Sequence, residues 1–214
     1  MISSMRTDQA RDQILRSIRE NLATSPPDHA ATHARAPLAP VSSDGSPTNL
    51  VDRFTSQLEA VGAQWTLVRG EAEAARALRR VLSDVGATRV AGSDAPLVTR
   101  LLPERLVDLS RDDLFRCDAG VTTAQWGIAE TGTLVLESAR ERSRLASLVP
   151  PIHVAILSTR RICPSLGDAL ARVDPASHAI TLITGPSRTS DIELTLVVGV
   201  HGPQTVHVLL LEEE

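Results

Sequence analysis

The sequence predicts an α/β protein, a three-layer α/β/α sandwich built around a mostly parallel sheet. Two observations support this prediction. Short apolar runs with strand character alternate along the chain with segments of helical periodicity, the order expected when helices connect parallel strands. Several of these runs, such as 152–158, are apolar at consecutive positions and therefore predict strands that are buried on both faces. With 214 residues, of which 42% are hydrophobic, the chain is long enough to bury a substantial core.

The individual elements follow from local patterns, taken in chain order. Apolar residues at helical spacing predict helices over 48–62, 71–83, 95–102, 164–173 and 190–198. Runs rich in β-branched and other apolar residues predict strands over 65–69, 88–92, 106–109, 121–123, 133–137, 152–158, 180–184 and 205–211.

The first 47 residues have a different character from the rest of the chain. Residues 1–23 are predicted to form an amphipathic helix, because apolar residues recur there at helical spacing. These residues are Ile14, Leu15, Ile18 and Leu22. Residues 24–47 combine five prolines with alanine, serine, aspartate and glycine, a composition that buries little surface and predicts a linker. The α/β domain is therefore expected to occupy 48–214. The N-terminal segment lacks the apolar core of a signal peptide, which favours a cytoplasmic location.

The charged residues exclude several classes of function. All 22 basic residues are arginine, so no Schiff base to an intrinsic lysine and no G-x-x-x-x-G-K-[ST] phosphate loop can form. Each fixed positive charge is a guanidinium, which suits bidentate binding of carboxylates and phosphates, although coding bias is the simpler explanation of the composition as a whole. The formal net charge of −4 argues against a general nucleic-acid binder. No apolar run reaches the roughly 18 residues of a membrane span.

Metal and cofactor sites have little support in the sequence. Cys117 and Cys163 lie far apart and form no C-x-x-C pair, which predicts free buried thiols. Two thiolates cannot hold an iron–sulfur cluster, which usually takes four. The histidines are scattered without an H-x-x-x-H or H-E-x-x-H pair, and there is no G-x-G-x-x-G. We therefore expect this chain to bind neither a metal ion nor a cofactor.

A first candidate site lies directly before a predicted strand, where Glu130 precedes Thr131, Gly132 and Thr133. Glycine lets the backbone approach a ligand closely, and two hydroxyls flank it. Glu130 is the candidate catalytic residue, as a nucleophile, a general base or a hydroxyl acceptor, and the three residues after it are candidate ligand contacts. The alternative is a hairpin turn with a solvated glutamate.

A second candidate site lies between the strand predicted at 180–184 and the helix predicted at 190–198. Ser190 and Glu193 match a capping box, which explains those two residues but not the glycine, hydroxyls and arginine before them. A strand-to-helix turn of this composition directs N–H groups and a guanidinium toward an anion, a carboxylate or a phosphate. The predicted ligands are Gly185, Pro186, Ser187, Arg188 and Thr189.

A third candidate segment runs from Arg140 to the Pro-Pro turn at 150–151. Arg140 and Arg142 are expected to lie on a solvated surface, whereas Arg144, which is closer to the turn, is a ligand candidate.

Two histidines are also considered as site residues. His153 opens an apolar strand, which is more typical of a hydrogen-bonded core histidine than of a catalyst. His201 lies among small residues and is a candidate ligand facing a cleft.

The three candidate segments together resemble a known family. The motifs GIAETGTLVLES, R-x-x-SLVPPIHVAIL and ITGPSRTSDIELTLVVGVHGPQTVHVLLLE occur in this order. They are similar to the LUD domain of the lactate utilization protein C (LutC/YkgG) family, over roughly 50–214. The resemblance implies a fold similar to the NagB/RpiA/CoA-transferase class. It also implies a role in oxidising L-lactate to pyruvate, with iron–sulfur clusters carried by partner subunits. CoA-transferase-like relatives use a glutamate nucleophile, which Glu130 matches only by analogy of fold.

Three functions therefore stay open at this point. The chain is a component of a cytoplasmic L-lactate utilization system that binds a small organic acid or another anion and docks iron–sulfur subunits. Alternatively, it is an autonomous enzyme that uses Glu130 on an acyl-CoA or a phosphorylated small molecule. A third alternative is a non-catalytic interaction module that makes contact through the N-terminal helix. The sequence leaves the ligand and the oligomeric state open.

Overall fold

The computed structural model describes residues 11–21, 47–141, 143–190, 196–198 and 202–213. The chain divides into two compact units, Met1–Pro40 and Val41–Glu214. In the first unit, residues 11–21 form helix α1, in which Ile14 and Ile18 are 61% and 48% exposed. The remainder of the predicted N-terminal helix and most of the predicted linker lie outside the described residues.

The second unit contains the α/β domain. Its helices are α2 (Pro47–Ala60), α3 (Gly70–Asp84), α4 (Pro96–Leu101), α5 (Arg111–Leu114) and α6 (Leu166–Leu170), with 3₁₀ turns at Arg144–Ser147 and Thr159–Arg161. Its strands are β1 (Gln64–Arg69), β2 (Val90–Gly92), β3 (Ala119–Thr123), β4 (Trp126–Ile128), β5 (Thr133–Glu137), β6 (Ile152–Ser158), β7 (Ile162–Cys163), β8 (Ile180–Ile183), β9 (Arg188–Ser190), β10 (Leu196–Val198) and β11 (Thr205–Glu212). None of the helices described here has the length and apolarity that crossing a membrane requires.

The central sheet has five strands in the order β1-β11-β6-β3-β2, and all of its pairings are parallel. Alternate residues of β6 enter the cores on the two faces. Val154 and Ile156 pack with α3 and α4 on one face, and Ala155 and Leu157 pack with α2 on the other. Burial on both faces is why this strand is apolar at consecutive positions. The predicted α/β class with a mostly parallel sheet is therefore confirmed.

The layer on the second face contains more than a helix. A four-stranded sheet, in the order β7-β4-β5-β8, lies in the same core as α2. Its β4–β5 and β5–β8 pairs are antiparallel, and its β4–β7 pair is parallel. The sequence predicts β5 and β8 as strands, but no local pattern assigns them to a separate sheet.

The strand predicted at 106–109 does not form. Leu106 makes an isolated bridge with Ala91, through hydrogen bonds from Leu106 N to Val90 O and from Gly92 N to Leu106 O. Asp108 then takes a positive φ of 52°, which is incompatible with an extended run.

The helix predicted at 190–198 is also wrong. Residues 188–190 and 196–198 form the antiparallel pair β9–β10, in which Ser190 is opposite Leu196. Ser190 therefore belongs to a strand and is not the N-cap of a helix. The run Leu196-Val197-Val198 fits a pleated strand, and this preference outweighs the local capping signal.

Both cysteines are free and buried, as predicted. Burial raises the pKa of Cys117 and of Cys163 above the ordinary thiol value. These thiols therefore stay protonated at neutral pH and pack as small apolar groups.

Gly120 lies close to the 3₁₀ turn at Arg144–Ser147, and replacing this glycine tests how tightly the strand packs against the turn. A Cβ on Gly120, in β3, would lie 1.7 Å from the Ala146 carbonyl oxygen. We expect Gly120→Ala to lower the free energy of unfolding by about 3 kcal/mol or more, because backbone must move. Urea denaturation measures this loss.

Gly86→Ala is the matched control. Gly86 has a φ of +66° but no atom within 4 Å of the added methyl. Its cost should be about 1 kcal/mol, the backbone strain alone. Equal losses in the two variants would contradict the packing argument for Gly120.

Candidate functional site

The carboxyl edge of the central sheet carries a cavity of about 450 Å³. The ends of β3, β6 and β11 and the start of α4 form part of its wall, through Thr123, Ser158, Leu211 and Pro96. Ligands of open α/β sheets bind outside the carboxyl ends of the strands, because the connecting loops diverge there. We therefore take this cavity as the candidate site.

Trp126, at the start of β4, is held in the wall of the cavity by a hydrogen bond. Its indole N–H donates to Glu137 Oε1 at 2.9 Å. Glu137 is 3% exposed, and its Oε2 accepts from Asp174 N at 2.7 Å and from the Ser177 hydroxyl at 3.1 Å. Three donors thus compensate the burial of this carboxyl group. The same contacts tie the second sheet to the 174–177 loop.

Four arginines lie along the cavity, and they differ in their partners. Arg100 forms two hydrogen bonds with Glu71, and Arg140 lies 3.5 Å from Asp174. Arg161 and Arg172 stack on Trp126 instead, with guanidinium carbons 4.8 and 5.5 Å from the ring centroid.

Among the described residues, neither Arg161 nor Arg172 forms an ion pair with a carboxylate. Arg172 does donate a hydrogen bond from Nη1 to Cys163 Sγ, at 3.1 Å. The two guanidiniums beside Trp126 therefore supply positive charge that no described carboxylate neutralises. An anion is the complementary ligand.

A second buried carboxyl group lies behind the wall. Glu141 is 0% exposed, and its Oε1 accepts from both the backbone N–H and the hydroxyl of Thr123. Its Oε2 is buried without a hydrogen-bond partner. Burial raises the pKa of Glu141 above its ordinary value, and the hydrogen bonds from Thr123 oppose that shift without cancelling it.

His153, on β6, is buried as the sequence predicts for a core histidine. Its Nε2 lies 2.9 Å from the Thr122 hydroxyl, and its Nδ1 is buried without a partner. Burial lowers the pKa of His153 to about 4, so the ring is neutral at physiological pH.

The structure places the predicted Glu130 site at the turn between β4 and β5, away from the cavity wall. Glu130 Oε1 accepts from Leu166 N at 3.1 Å. Thr133 is 5% exposed, and its hydroxyl lies 2.7 Å from those of Thr131 and Thr184. The close approach at Gly132 is to helix α2, since a Cβ there would lie 2.7 Å from Leu58 N. Packing therefore accounts for the glycine, and the catalytic role of Glu130 stays a prediction.

The turn at 185–188 packs against the end of the same helix. Arg188 Nη2 donates to the Val61 carbonyl oxygen at 2.9 Å, and a Cβ on Gly185 would lie 2.7 Å from that oxygen. Ser187 N donates to Pro203 O, two residues before β11 begins, which places the turn toward the amino end of the central sheet. The turn leads into β9 and not into a helix, so the helix-terminus argument for its anion site no longer applies. The predicted ligands there stay predictions.

Of the remaining predicted ligands, some lie within the described residues and others lie outside them. Arg144 opens the 3₁₀ turn after the cavity-lining segment and is exposed. His201, Arg142 and the side chain of Thr189 lie outside the described residues. Of the described residues that the sequence analysis proposed as ligands, none lines the cavity. The structure does bring the Glu130 and Gly185 segments together, through the Thr133–Thr184 contact and helix α2.

Five residues at or behind the cavity wall are not predicted from the sequence: Trp126, Glu137, Glu141, Arg161 and Arg172. Trp126 carried a usable signal, because the whole chain has only two tryptophans. Arg161 and Arg172 resemble ordinary surface arginines in sequence, and the fold alone brings them to one ring. In the part of the chain that the structure describes, no group of three His, Cys, Asp or Glu side chains could hold a metal ion.

Comparison with known proteins identifies the family. The family model for the LUD domain matches residues 51–211. The chain belongs to the LUD domain family. A relative named "Lactate utilization protein C" from Deinococcus radiodurans is 30% identical, over 96% of this chain and 97% of its own length. An uncharacterised Neisseria meningitidis serogroup B protein is 33% identical, over 70% of this chain and 68% of its own length.

A solved structure shows the same fold. The crystal structure of a DUF162 family protein from Deinococcus radiodurans superposes with a TM-score of 0.59, at 24% identity. The match covers 78% of this chain and 98% of that chain. The fold expected from the resemblance to the NagB/RpiA/CoA-transferase class is consistent with the observed parallel sheet.

The buried imidazole of His153 predicts a loss of stability in acid. The unfolded chain binds a proton near pH 6.5 and the folded chain near pH 4, so folding opposes protonation and stability falls as the pH decreases between these values. We expect this group to remove about 3 kcal/mol of the free energy of unfolding between pH 7 and pH 4. Urea denaturation of wild type and His153→Gln across this range measures the difference.

His178→Gln is the control for that experiment, since His178 is exposed. It should keep the acid sensitivity of the wild type, whereas His153→Gln should reduce it. Parallel curves for wild type and His153→Gln would rule out this role of the buried ring.

Proposed function

We propose that this chain is a component of a cytoplasmic L-lactate utilization system, in which it binds a small anionic ligand beside iron–sulfur partner subunits. The relative named "Lactate utilization protein C" supports the pathway, because its similarity extends over 96% of this chain. In this proposal the system oxidises L-lactate to pyruvate, and the two electrons released pass to clusters in the partner subunits. With two buried cysteines, this chain cannot supply the four thiolates that such a cluster usually takes.

The pair of guanidiniums on Trp126 supports anion binding in the cavity. Arg161 and Arg172 pair with no carboxylate among the described residues, and both border the cavity at the carboxyl edge of the sheet. A guanidinium presents parallel N–H groups that match the two oxygens of a carboxylate. Stacking on a fixed ring holds the guanidiniums in place, so less conformational entropy is lost when the ligand binds.

The size of the cavity suggests the class of ligand. Its volume of about 450 Å³ exceeds what a three-carbon acid fills. Ligand sites typically span about 300–1,000 Å³, so this cavity also has room for a larger organic acid or a group bound beside the carboxylate. L-lactate and pyruvate are therefore suitable first probes for a carboxylate site.

Direct titration with L-lactate and pyruvate tests the anion site. Arg161→Ala and Arg172→Ala should each weaken binding by about tenfold, the usual effect of removing a hydrogen bond to a charged group. Lysine at either position should not restore affinity, because an ammonium lacks the parallel donors. Arg76→Ala, on the exposed surface of α3, is the matched control and should bind as the wild type does. Unchanged affinity in the Arg161 and Arg172 variants would remove the basis for this site.

Growth on lactate tests the pathway and compares the two candidate sites. A deletion strain should fail on L-lactate and recover with the wild-type gene. The double variant Arg161→Ala/Arg172→Ala should not restore growth if the cavity is the functional site, because the ligand loses both charges. Failure of Arg188→Ala or Glu130→Gln, with recovery by the double variant, would instead place the site at the turns predicted from sequence. Normal growth of the deletion strain would refute the proposed function.

A further inference from the structure

The strongest unexplained group near the cavity is Glu141. It is 0% exposed, and one carboxyl oxygen has no hydrogen-bond partner. Burying this oxygen costs free energy, because no hydrogen bond compensates its loss of water. Such a group requires an explanation from the neighbouring site.

Glu141 is connected to the cavity through Thr123 and Gln125. Its Oε1 accepts both the backbone N–H and the hydroxyl of Thr123, so the Thr123 hydroxyl is committed as a donor. Gln125 Nε2 therefore donates to Thr123 Oγ1 at 3.0 Å, and Gln125 Oε1 accepts from Glu137 N at 2.7 Å. Thr123 and Gln125 both line the cavity, next to Trp126. One buried carboxyl group thus determines the orientation of two side chains in the wall.

We propose that Glu141 is the positioning residue of the arginine-lined cavity and that it acts as an uncharged carboxylic acid. In this form it orients Thr123 and Gln125 without placing a negative charge behind a wall that faces a bound anion. The inference rests on the proposed anion binding. It adds to that proposal the group that aligns Thr123 and Gln125, the uncharged polar side chains of the wall.

The surroundings of Glu141 favour the uncharged form. Burial raises its pKa, and the negative charge of Asp94, on the segment between β2 and α4, adds to this shift. Arg105, which packs on the same segment, donates to Ser93 O and to the Thr99 hydroxyl. Arg140, the neighbour of Glu141 in sequence, pairs with Asp174. Arg105 thus forms hydrogen bonds, and Arg140 an ion pair, with groups other than the Glu141 carboxyl.

The other charged groups at the cavity are all arginines and carboxyl groups. Its wall holds four arginines and the carboxyl groups of Glu137, Asp174 and Glu213. The described lining contains no histidine. Cys163 accepts a hydrogen bond from Arg172. Because burial raises the pKa of Cys163, its thiol ionises only above the ordinary thiol range. A weakening of anion binding toward alkaline pH therefore reports on Glu141.

The test measures binding of L-lactate and pyruvate between about pH 6 and pH 9 to wild type and to Glu141→Gln. Wild-type affinity should fall by about tenfold toward the alkaline end as Glu141 ionises, because the new charge repels the anion. Glutamine keeps the acceptor oxygen for Thr123 and cannot ionise. The affinity of Glu141→Gln should therefore not decline toward alkaline pH.

Two further variants separate positioning from charge. Thr123→Val removes the hydroxyl that links Glu141 to Gln125 and should weaken binding several-fold at every pH. Glu104→Gln changes an exposed glutamate that pairs with Arg79, outside the cavity, and should keep the wild-type profile. If Thr123→Val binds as the wild type does, or if Glu141→Gln keeps the alkaline decline, the proposal is wrong.

An infrared difference spectrum provides a readout that does not depend on ligand binding. Wild type minus Glu141→Gln should show the C=O band of a protonated carboxyl group at neutral pH, and absence of that band overturns the inference. Loss of binding in the Arg161 and Arg172 variants refutes only the inference if Glu141→Gln keeps the alkaline decline or Thr123→Val binds as the wild type does. If the two arginine variants bind as wild type does while the band is present, the proposed anion site fails and the uncharged state of Glu141 stands.

Discussion

The neighbouring parallel strands β6 and β11 are buried on both faces, and the positions of the other elements depend on this constraint. Each strand places alternate side chains into two separate cores, one shared with α3 and α4 and one shared with α2 and the four-stranded sheet. Neither strand can shift by one residue without exchanging the two sets of side chains. The carboxyl ends of β3, β6 and β11 are thereby fixed at one edge, and the cavity forms where the following segments separate.

The charged side chains of the cavity have different kinds of partner. Glu137 is buried but accepts three hydrogen bonds, and in return it fixes the Trp126 ring. Arg161 and Arg172 are stacked on that ring without a carboxylate partner among the described residues. Because the chain contains no lysine, its cationic binding groups are guanidiniums, whose flat shape allows them to stack and to present donors at the same time.

The elements predicted best from the sequence are those in which local periodicity and burial agree. Strand 152–158 and helix 71–83 are close to β6 and α3, because their apolar patterns report directly on the faces they bury. The prediction fails at 190–198, where a capping motif suggested a helix and cross-strand pairing produced β9 and β10. Gly132 and Gly185 stay predicted ligands, and in the fold both glycines also permit close packing against the end of helix α2. A glycine in such a motif indicates that the backbone closely approaches another group, but it does not identify that group.

The sequence by itself determined the α/β class, the buried parallel strands, the free thiols and membership of the LUD domain family. These properties depend on composition, periodicity and runs of adjacent residues, which are all present in one dimension. Only the tertiary structure decided which side chains share a site. Four side chains of the cavity are separated by up to 46 positions in the chain: Trp126, Glu137, Arg161 and Arg172. They meet because β4, β5 and the segments around β7 and α6 pack at one edge. No local pattern encodes that meeting, since it arises from the pairing of strands that are distant in sequence.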